Sequence, residues 1–214
     1  MNTRRGLPVQ VIVSDTGPLI SLAACGRLDL LTKFRRPVRI PDVVRAECLR
    51  HPGKIGTATL ETWFDPSTCP AEVFATPFMA VWERAVSEED ADPELHASLG
   101  IGDAALAWLL RQAQAGISLD VPTLILTEDG PFGDGIVRDR FPEVHVLSTR
   151  AFLRTLENFG RIASAERIVE EIAQAGRQLA RYMADRPGRM FPGTKTTWAE
   201  VLTGQAASGP GGEP

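Results

Sequence analysis

The apolar residues of this chain follow two alternating patterns. Short runs rich in β-branched residues predict buried strands of the kind found in parallel sheets. These runs lie at residues 9–14, 38–40, 123–127 and 144–147, with a weaker one at 72–75. Between them, apolar residues recur at the spacing of a helix with one buried face. The alternation predicts an α/β domain with a mainly parallel central sheet.

The predicted helices differ in clarity. Gly26 separates two short helices, and Pro41 suits the first turn of the next one because its missing N–H would be unpaired there. The clearest helices cover residues 79–86, 104–115, 151–159 and 165–183. Residues 88–93 predict an acidic turn, and the prolines and glycines of residues 51–78 predict irregular structure.

Composition limits the class of protein. The chain has 214 residues, 43% hydrophobic and 23% charged, which is typical of a soluble globular domain. Three cysteines without a CxxC spacing argue against a disulfide framework or a zinc site. The N-terminus lacks a signal-peptide core, and no apolar run approaches the roughly 20 residues of a membrane span. We therefore expect a cytoplasmic protein with no membrane partner.

The charge pattern leaves nucleic acid open as a partner. The net charge of −4 lacks the basic excess of a protein that coats nucleic acid, but an acidic metal site would lower the total. A basic group surrounds the helix after the second strand, namely Lys33, Arg35, Arg36, Arg39, Arg45, Arg50, His51 and Lys54. Such a group is suited to binding phosphates and is equally typical of a solvated face.

Acidic residues follow two of the predicted strands. Asp15 comes directly after the first strand, and Glu128 and Asp129 follow the run that ends at Thr127. In open α/β sheets, the carboxyl ends of the strands border the ligand crevice. Two further acids, on or before predicted helices, can reach the same edge: Glu47 and Asp103. Simpler roles stay open for these acids, namely helix capping or a solvated face.

Carboxylates brought together repel one another and stay ionised only beside a positive charge. Hard divalent ions such as Mg²⁺ and Mn²⁺ prefer oxygen ligands, activate water and stabilise charge on a phosphate. An acidic centre without Cys or His ligands therefore favours phosphodiester chemistry over zinc chemistry. The hydroxyl groups of Ser14, Thr16 and Thr127 flank the acids. They are expected either to orient the acids or to form local turn bonds.

Four stretches carry a resemblance to a known family. They are VIVSDTGPLISLAACGRLDLL, IPDVVRAECL, GIGDAALAWLL and LILTEDGPFG. In order and in position, they resemble the acid-bearing strand, the two acid-bearing helices and the late strand of the PIN-domain family, especially its VapC-like toxins. The resemblance covers about residues 9–160.

The resemblance implies a three-layer α/β/α domain over residues 1–160. A C-terminal helix at residues 161–186 would pack on this domain or on a dimer partner, and residues 187–214 would form an extended, partly disordered tail. By the same resemblance, Asp15, Glu47, Asp103 and Asp129 become catalytic metal ligands, with Asp134 as an auxiliary ligand.

The function implied by the resemblance is that of an endoribonuclease dependent on Mg²⁺ or Mn²⁺. Its substrate would be RNA, and it would be either the toxin of a type II toxin–antitoxin pair or a housekeeping nuclease. As a VapC-like toxin it would have a small antitoxin protein as its partner, and such proteins often form homodimers. The alternative is a catalytically silent PIN-like module that binds or regulates. The presence of all four acids favours the enzyme over this alternative.

Overall fold

The computed structural model describes residues 9–34, 37–92, 94–95, 97–98, 100–116, 123–128 and 144–179, with the backbone alone for 112–116 and 145. Five parallel strands form one sheet in this part of the chain. They are β1 (Gln10–Val13), β2 (Val38–Pro41), β3 (Ala71–Phe74), β4 (Thr123–Leu126) and β5 (Val144–Leu147). All five coincide closely with the apolar runs of the sequence.

The strand order is β3-β2-β1-β4-β5, so β1 lies in the middle of the sheet. The chain builds outward from β1 on one side and then returns to build on the other side. β1 and β4 are therefore neighbours, paired from Gln10 opposite Thr123 to Val13 opposite Leu126. The connections from β1 and from β4 run to opposite sides of the sheet, although all strands are parallel. A switch point of this kind typically forms a ligand crevice at the carboxyl ends of the two strands.

Seven α-helices and one 3-10 helix accompany the sheet in the described residues. The α-helices are α1 (Thr16–Ala24), α2 (Asp42–Leu49), α3 (Thr57–Trp63), α4 (Met79–Ala91), α5 (Ile101–Gly116), α6 (Thr149–Asn158) and α7 (Ala165–Gln174). The 3-10 helix covers Leu28–Thr32, where the sequence predicted the second of two short helices. Gly26 separates it from α1 with a φ of +67°, a conformation that favours glycine.

Side chains of the central strands alternate between two cores. Val11 and Val13 of β1 join the larger core, which also holds apolar residues of α1, α6 and α7. Ile12 points to the other face and packs with Leu106 and Leu110 of α5. Because successive strand residues face opposite sides, the sheet separates two helical layers. The three-layer α/β/α architecture predicted from the sequence is confirmed.

The sequence prediction missed one helix and ended another too early. Residues 51–78 were expected to be irregular, but α3 forms there because it buries Thr57 and Leu60. Residues 88–93 were expected to turn, but α4 continues to Ala91. Its acidic end is stabilised because Arg50 forms ion pairs with Glu89 and Asp90.

The last described helix is shorter than its periodicity predicted. The apolar spacing runs to residue 183, but α7 ends at Gln174. The reason is Gly176, whose φ of +86° terminates the helix. α7 contacts α6 and α1 of the same chain, and its Ile168 and Ile172 are buried in the larger core. None of the described helices combines the length and apolar character needed to cross a membrane.

Candidate active site at the carboxyl edge of the sheet

Asp15 joins the ends of the two central strands. It is the N-cap of α1, and its Oδ1 accepts a hydrogen bond from the Gly17 N–H at 2.5 Å. Its Oδ2 accepts from the Glu128 N–H at 2.6 Å and from the Thr127 hydroxyl. The capping interpretation of Asp15 is thus confirmed, and the same carboxylate also fixes the end of β4 against the end of β1.

Two of the three flanking hydroxyl groups have different roles in the structure: one orients Asp15 as predicted, and the other bonds to a neighbouring strand instead of forming the local turn bond that the sequence left open. Thr127 donates to the Asp15 carboxylate and therefore orients it. Ser14 instead donates to the Leu126 carbonyl at 3.2 Å, beside the backbone bond from its own N–H. Ser14 thus strengthens the pairing of β1 with β4, whereas Thr127 belongs to the site.

Glu128 is a second acid of this edge, which the sequence prediction passed over in favour of Asp129. Its side chain is only 14% exposed. Its Oε1 accepts from the Thr149 hydroxyl at 2.8 Å and from the Ser21 hydroxyl at 3.0 Å. Burial raises the pKa of Glu128, and the charge of Asp15 adds to the rise against the two hydroxyl donors and a nearby arginine. The charged form of this second, largely buried carboxyl is therefore disfavoured at the switch point unless a positive charge lies beside it.

Gly17 provides the room that Glu128 occupies. A Cβ at this position would lie 2.7 Å from Glu128 Oε2 and 2.8 Å from Glu128 Cβ. Both distances are far below van der Waals contact, so any larger residue would displace the glutamate. Gly17 lies in the first turn of α1 with ordinary helical backbone, and glycine is required there by close approach alone.

Asp103 is brought to the same edge by the packing of α5. A Cβ on Gly102 would lie 3.3 Å from the Ser14 carbonyl oxygen, so the start of α5 lies against the end of β1. Asp103 is the next residue, half-buried in the first turn of the helix. A carboxylate is favourable there because it faces the positive end of the helix dipole.

Glu47 approaches the edge from α2. It is exposed, but the next residue, Cys48, is buried. Burial raises the pKa of the Cys48 thiol, and the negative charges of Glu47 and Asp15 raise it further. α2 also contacts α5, which places the helices of Glu47 and Asp103 beside each other.

The donor chemistry suits a hard divalent cation, because the acids offer oxygen ligands. The arrangement is incomplete within the described residues, which hold no group of three or more His, Cys, Asp or Glu side chains able to bind a metal. Two of the predicted ligands, Asp129 and Asp134, lie outside the described residues. Of the candidate acids, Asp15, Glu47, Asp103 and Glu128 fall within the described residues.

Three residues of the basic group around α2 form ion pairs with acidic residues in the described structure. Lys33 pairs with Asp29 at 2.9 Å, and Arg39 pairs with Glu72 at 3.1 Å. Arg50 binds the acidic end of α4. These pairs favour a structural role over phosphate binding. Arg35 and Arg36, also in the predicted basic group, lie outside the described residues.

Several partners of Glu128 were missed by sequence reasoning. Ser21 is a buried hydroxyl in an otherwise apolar helix, and Thr149 is buried at the start of α6. A buried hydroxyl on an apolar helix face signals a polar partner, because such groups are normally hydrogen-bonded. The third partner, Arg177, follows α7 and offers no comparable local signal.

Together these features define a parallel α/β/α protein with two partly buried acids, Asp15 and Glu128, at its topological switch point. A family model described as a PIN domain, DUF3368, matches residues 11–120, which is 110 of 214 residues. The chain therefore belongs to the PIN-domain family and has a nuclease-type fold. The matched stretch contains Asp15, Glu47 and Asp103, whereas Glu128 lies beyond it. No curated protein and no solved structure matched the chain.

Proposed function

We propose that this PIN-domain protein is an endoribonuclease that hydrolyses RNA phosphodiester bonds with the help of Mg²⁺ or Mn²⁺. The observation that carries the proposal is the position of Asp15. Its carboxylate bonds to the ends of both central strands at the switch point, where α/β proteins bind their ligands. The helices bearing Glu47 and Asp103 pack against the same edge.

Asp15, Glu47, Asp103 and Asp129 would hold the metal, with Asp134 as an auxiliary ligand. When bound, the ion would supply an acidified water and neutralise charge on the phosphate. The protein's own groups supply the placement. The Gly17 N–H, the Glu128 N–H and the Thr127 hydroxyl fix both oxygens of Asp15, and fixed ligands bind with less loss of conformational freedom.

We extend the proposal to the biological role of the protein and to its partners. The likeness of the acid-bearing motifs to VapC-like toxins supports a role as the toxin of a type II toxin–antitoxin pair in the cytoplasm. A small antitoxin would then bind near the acids, and two copies of the chain would form a dimer. Family membership supports the nuclease class, and motif likeness alone supports the toxin.

A second candidate function is a PIN-like module that binds or regulates without cleavage. The hydrogen bonds of Asp15 favour it, because three donors already occupy this carboxylate in the described structure. The two candidates differ in metal binding. An enzyme requires the acids to bind a divalent cation, whereas a silent module binds none.

The test compares the wild-type protein with Asp15→Asn on a mixed RNA pool containing Mn²⁺, Mg²⁺ or EDTA. We expect cleavage with either metal, none with EDTA, and none by Asp15→Asn while its circular dichroism spectrum is unchanged. Glu61→Gln is the matched control, since it removes a carboxylate from an exposed position on α3. Cleavage by Asp15→Asn at the wild-type rate would refute the enzyme. Calorimetry showing no Mn²⁺ binding would support the silent module.

A further inference from the structure

The turn after α7 fixes the direction in which the chain leaves the helix. The Gly176 N–H donates to the Ala173 carbonyl at 3.0 Å, and the Arg177 N–H donates to the Ile172 carbonyl at 3.1 Å. With Gly176 at a φ of +86°, this is a Schellman-type termination, which holds the residue after the glycine in place. A Cβ on Gly176 would lie 3.2 Å from Ile55 Cδ1, so the turn is also packed.

The helix that carries this turn is itself anchored to the domain. Glu171 forms an ion pair with Arg27, which follows α1, at 3.0 Å. The buried residues Ile168 and Ile172 belong to the larger core. The backbone of Arg177 is therefore held to the rest of the fold through both apolar and ionic contacts.

The Arg177 side chain extends from this turn toward the acidic edge. Its Nη2 lies 3.5 Å from Glu128 Oε2, and only 33% of the side chain is exposed. Its Nε is buried and makes no hydrogen bond within the described residues. Burial of a guanidinium is unfavourable without an opposite charge, so its position is explained by Glu128.

Glu128 is held by three groups from three separate parts of the fold. Two are neutral hydroxyls, Ser21 of α1 and Thr149 of α6. Arg177 supplies a positive charge beside the same carboxylate. The backbone N–H of Glu128 in turn donates to Asp15 Oδ2. The side chain of Glu128 is thus fixed by Ser21, Thr149 and Arg177, while its backbone N–H fixes Asp15. A shift of the Glu128 side chain is therefore expected to displace the hydrogen bond to Asp15.

We propose that Arg177 is a positioning residue of the nuclease site, which holds the end of β4, and through it the Asp15 carboxylate, by its ion pair with Glu128. The inference rests on the proposed nuclease function and extends the site to the segment after α7. That segment lies outside the residues matched by the PIN-domain family model. Partners that orient ligand carboxylates typically contribute about 10- to 100-fold to activity or metal affinity.

The test uses the full chain with Arg177→Gln, which removes the charge, and Arg177→Lys, which keeps it. Arg167→Gln is the matched control, because Arg167 pairs with Glu171 on the same helix but is 78% exposed. Two properties are measured: kcat and KM on a short labelled RNA that the wild-type protein cleaves, and hydrogen exchange of the peptide containing the Glu128 N–H. Arg177→Gln is also combined with Glu128→Gln.

We expect Arg177→Gln to lower kcat about tenfold or more with KM nearly unchanged, and Arg177→Lys to restore much of it. Exchange at the Glu128 peptide should rise in Arg177→Gln and stay at the wild-type level in Arg167→Gln. In the Glu128→Gln background, Arg177→Gln should have no further effect on kcat, because the partner is already lost.

Wild-type kcat and exchange in Arg177→Gln would overturn the inference. An equal loss of kcat in Arg167→Gln would also overturn the inference, since the effect would then come from a general disturbance of α7. If the wild-type protein cleaves no RNA, the proposed function fails, but the exchange comparison still decides whether Arg177 holds the end of β4.

Discussion

Replacing Gly17 by alanine sets local helix propensity against packing at the candidate site. In a helix interior, alanine is favoured over glycine by about 1 kcal/mol, which is an upper bound for Gly17 in the first turn. The sequence of α1 taken alone therefore predicts a more stable protein. The structure predicts the opposite. The new Cβ would lie 2.7 Å from Glu128 Oε2, 2.8 Å from Glu128 Cβ and 2.9 Å from Asp15 Oδ1.

The size of the effect follows from what must move. Overpacking of this kind typically costs about 1–3 kcal/mol, because Glu128 cannot shift freely while the hydroxyls of Ser21 and Thr149 hold its Oε1. After subtraction of the full helix gain, we expect a net loss of up to about 2 kcal/mol. For a domain of this size, that lowers the melting temperature by up to roughly 4–8 °C.

The assay is thermal and urea unfolding of Gly17→Ala beside the wild-type protein. Glu128→Gly serves as the second background, because it removes both the Cβ and the carboxylate that the alanine would meet. We expect Gly17→Ala to cost clearly less in that background. A higher melting temperature for Gly17→Ala in the wild-type background would refute the close packing of Gly17 against Glu128.

Two further predictions concern groups away from this contact. The hydrogen bond from Arg50 lowers the pKa of Glu89 from 4.5 to about 2. Because the folded-state pKa is depressed, the pair stabilises the protein above pH 4.5, and this contribution is lost as the pH falls toward 2. Acid unfolding of Glu89→Gln should therefore depend less on pH across this window, and an unchanged profile would contradict the ion pair. The second prediction concerns Cys48, which is buried and whose pKa is raised. It should be the last cysteine labelled by a thiol reagent in the folded protein, as mapped by peptide mass spectrometry. Labelling of Cys48 ahead of the half-buried cysteines would contradict its placement.

The parts of the fold that local patterns determine were predictable from the sequence. β1 and β4 are short, apolar and β-branched, and each is followed at once by an acid. Parallel strands align their carboxyl ends, so the position of Asp15 at the edge follows from the pattern alone. The helix that bears Asp103 is likewise visible in the sequence, because a strong apolar periodicity begins directly after this residue, although the helix itself begins at Ile101.

The parts that depend on distant contacts were not predictable. α3 has little helical pattern and forms because it packs on α1 and α2. The end of α7 depends on Gly176, which interrupts an apolar spacing that continues beyond it. The role of Glu128 depends on Thr149 and Arg177, which lie 21 and 49 positions further along the chain. Periodicity carries no information about contacts at such separations.

The central claim, an acidic metal-dependent nuclease site, is tested most directly at Asp103. Asp103→Asn removes one negative charge from the first turn of α5 while keeping the size and shape of the side chain. The measurement is the rate of Mn²⁺-dependent cleavage of a mixed RNA pool, with the melting temperature of each protein as the control for folding. We predict that the wild-type protein cleaves RNA and that Asp103→Asn, with its melting temperature within roughly 4 °C of the wild-type value, is at least about 100-fold slower. Equal rates for the two proteins, or cleavage that continues in EDTA, would contradict the claim.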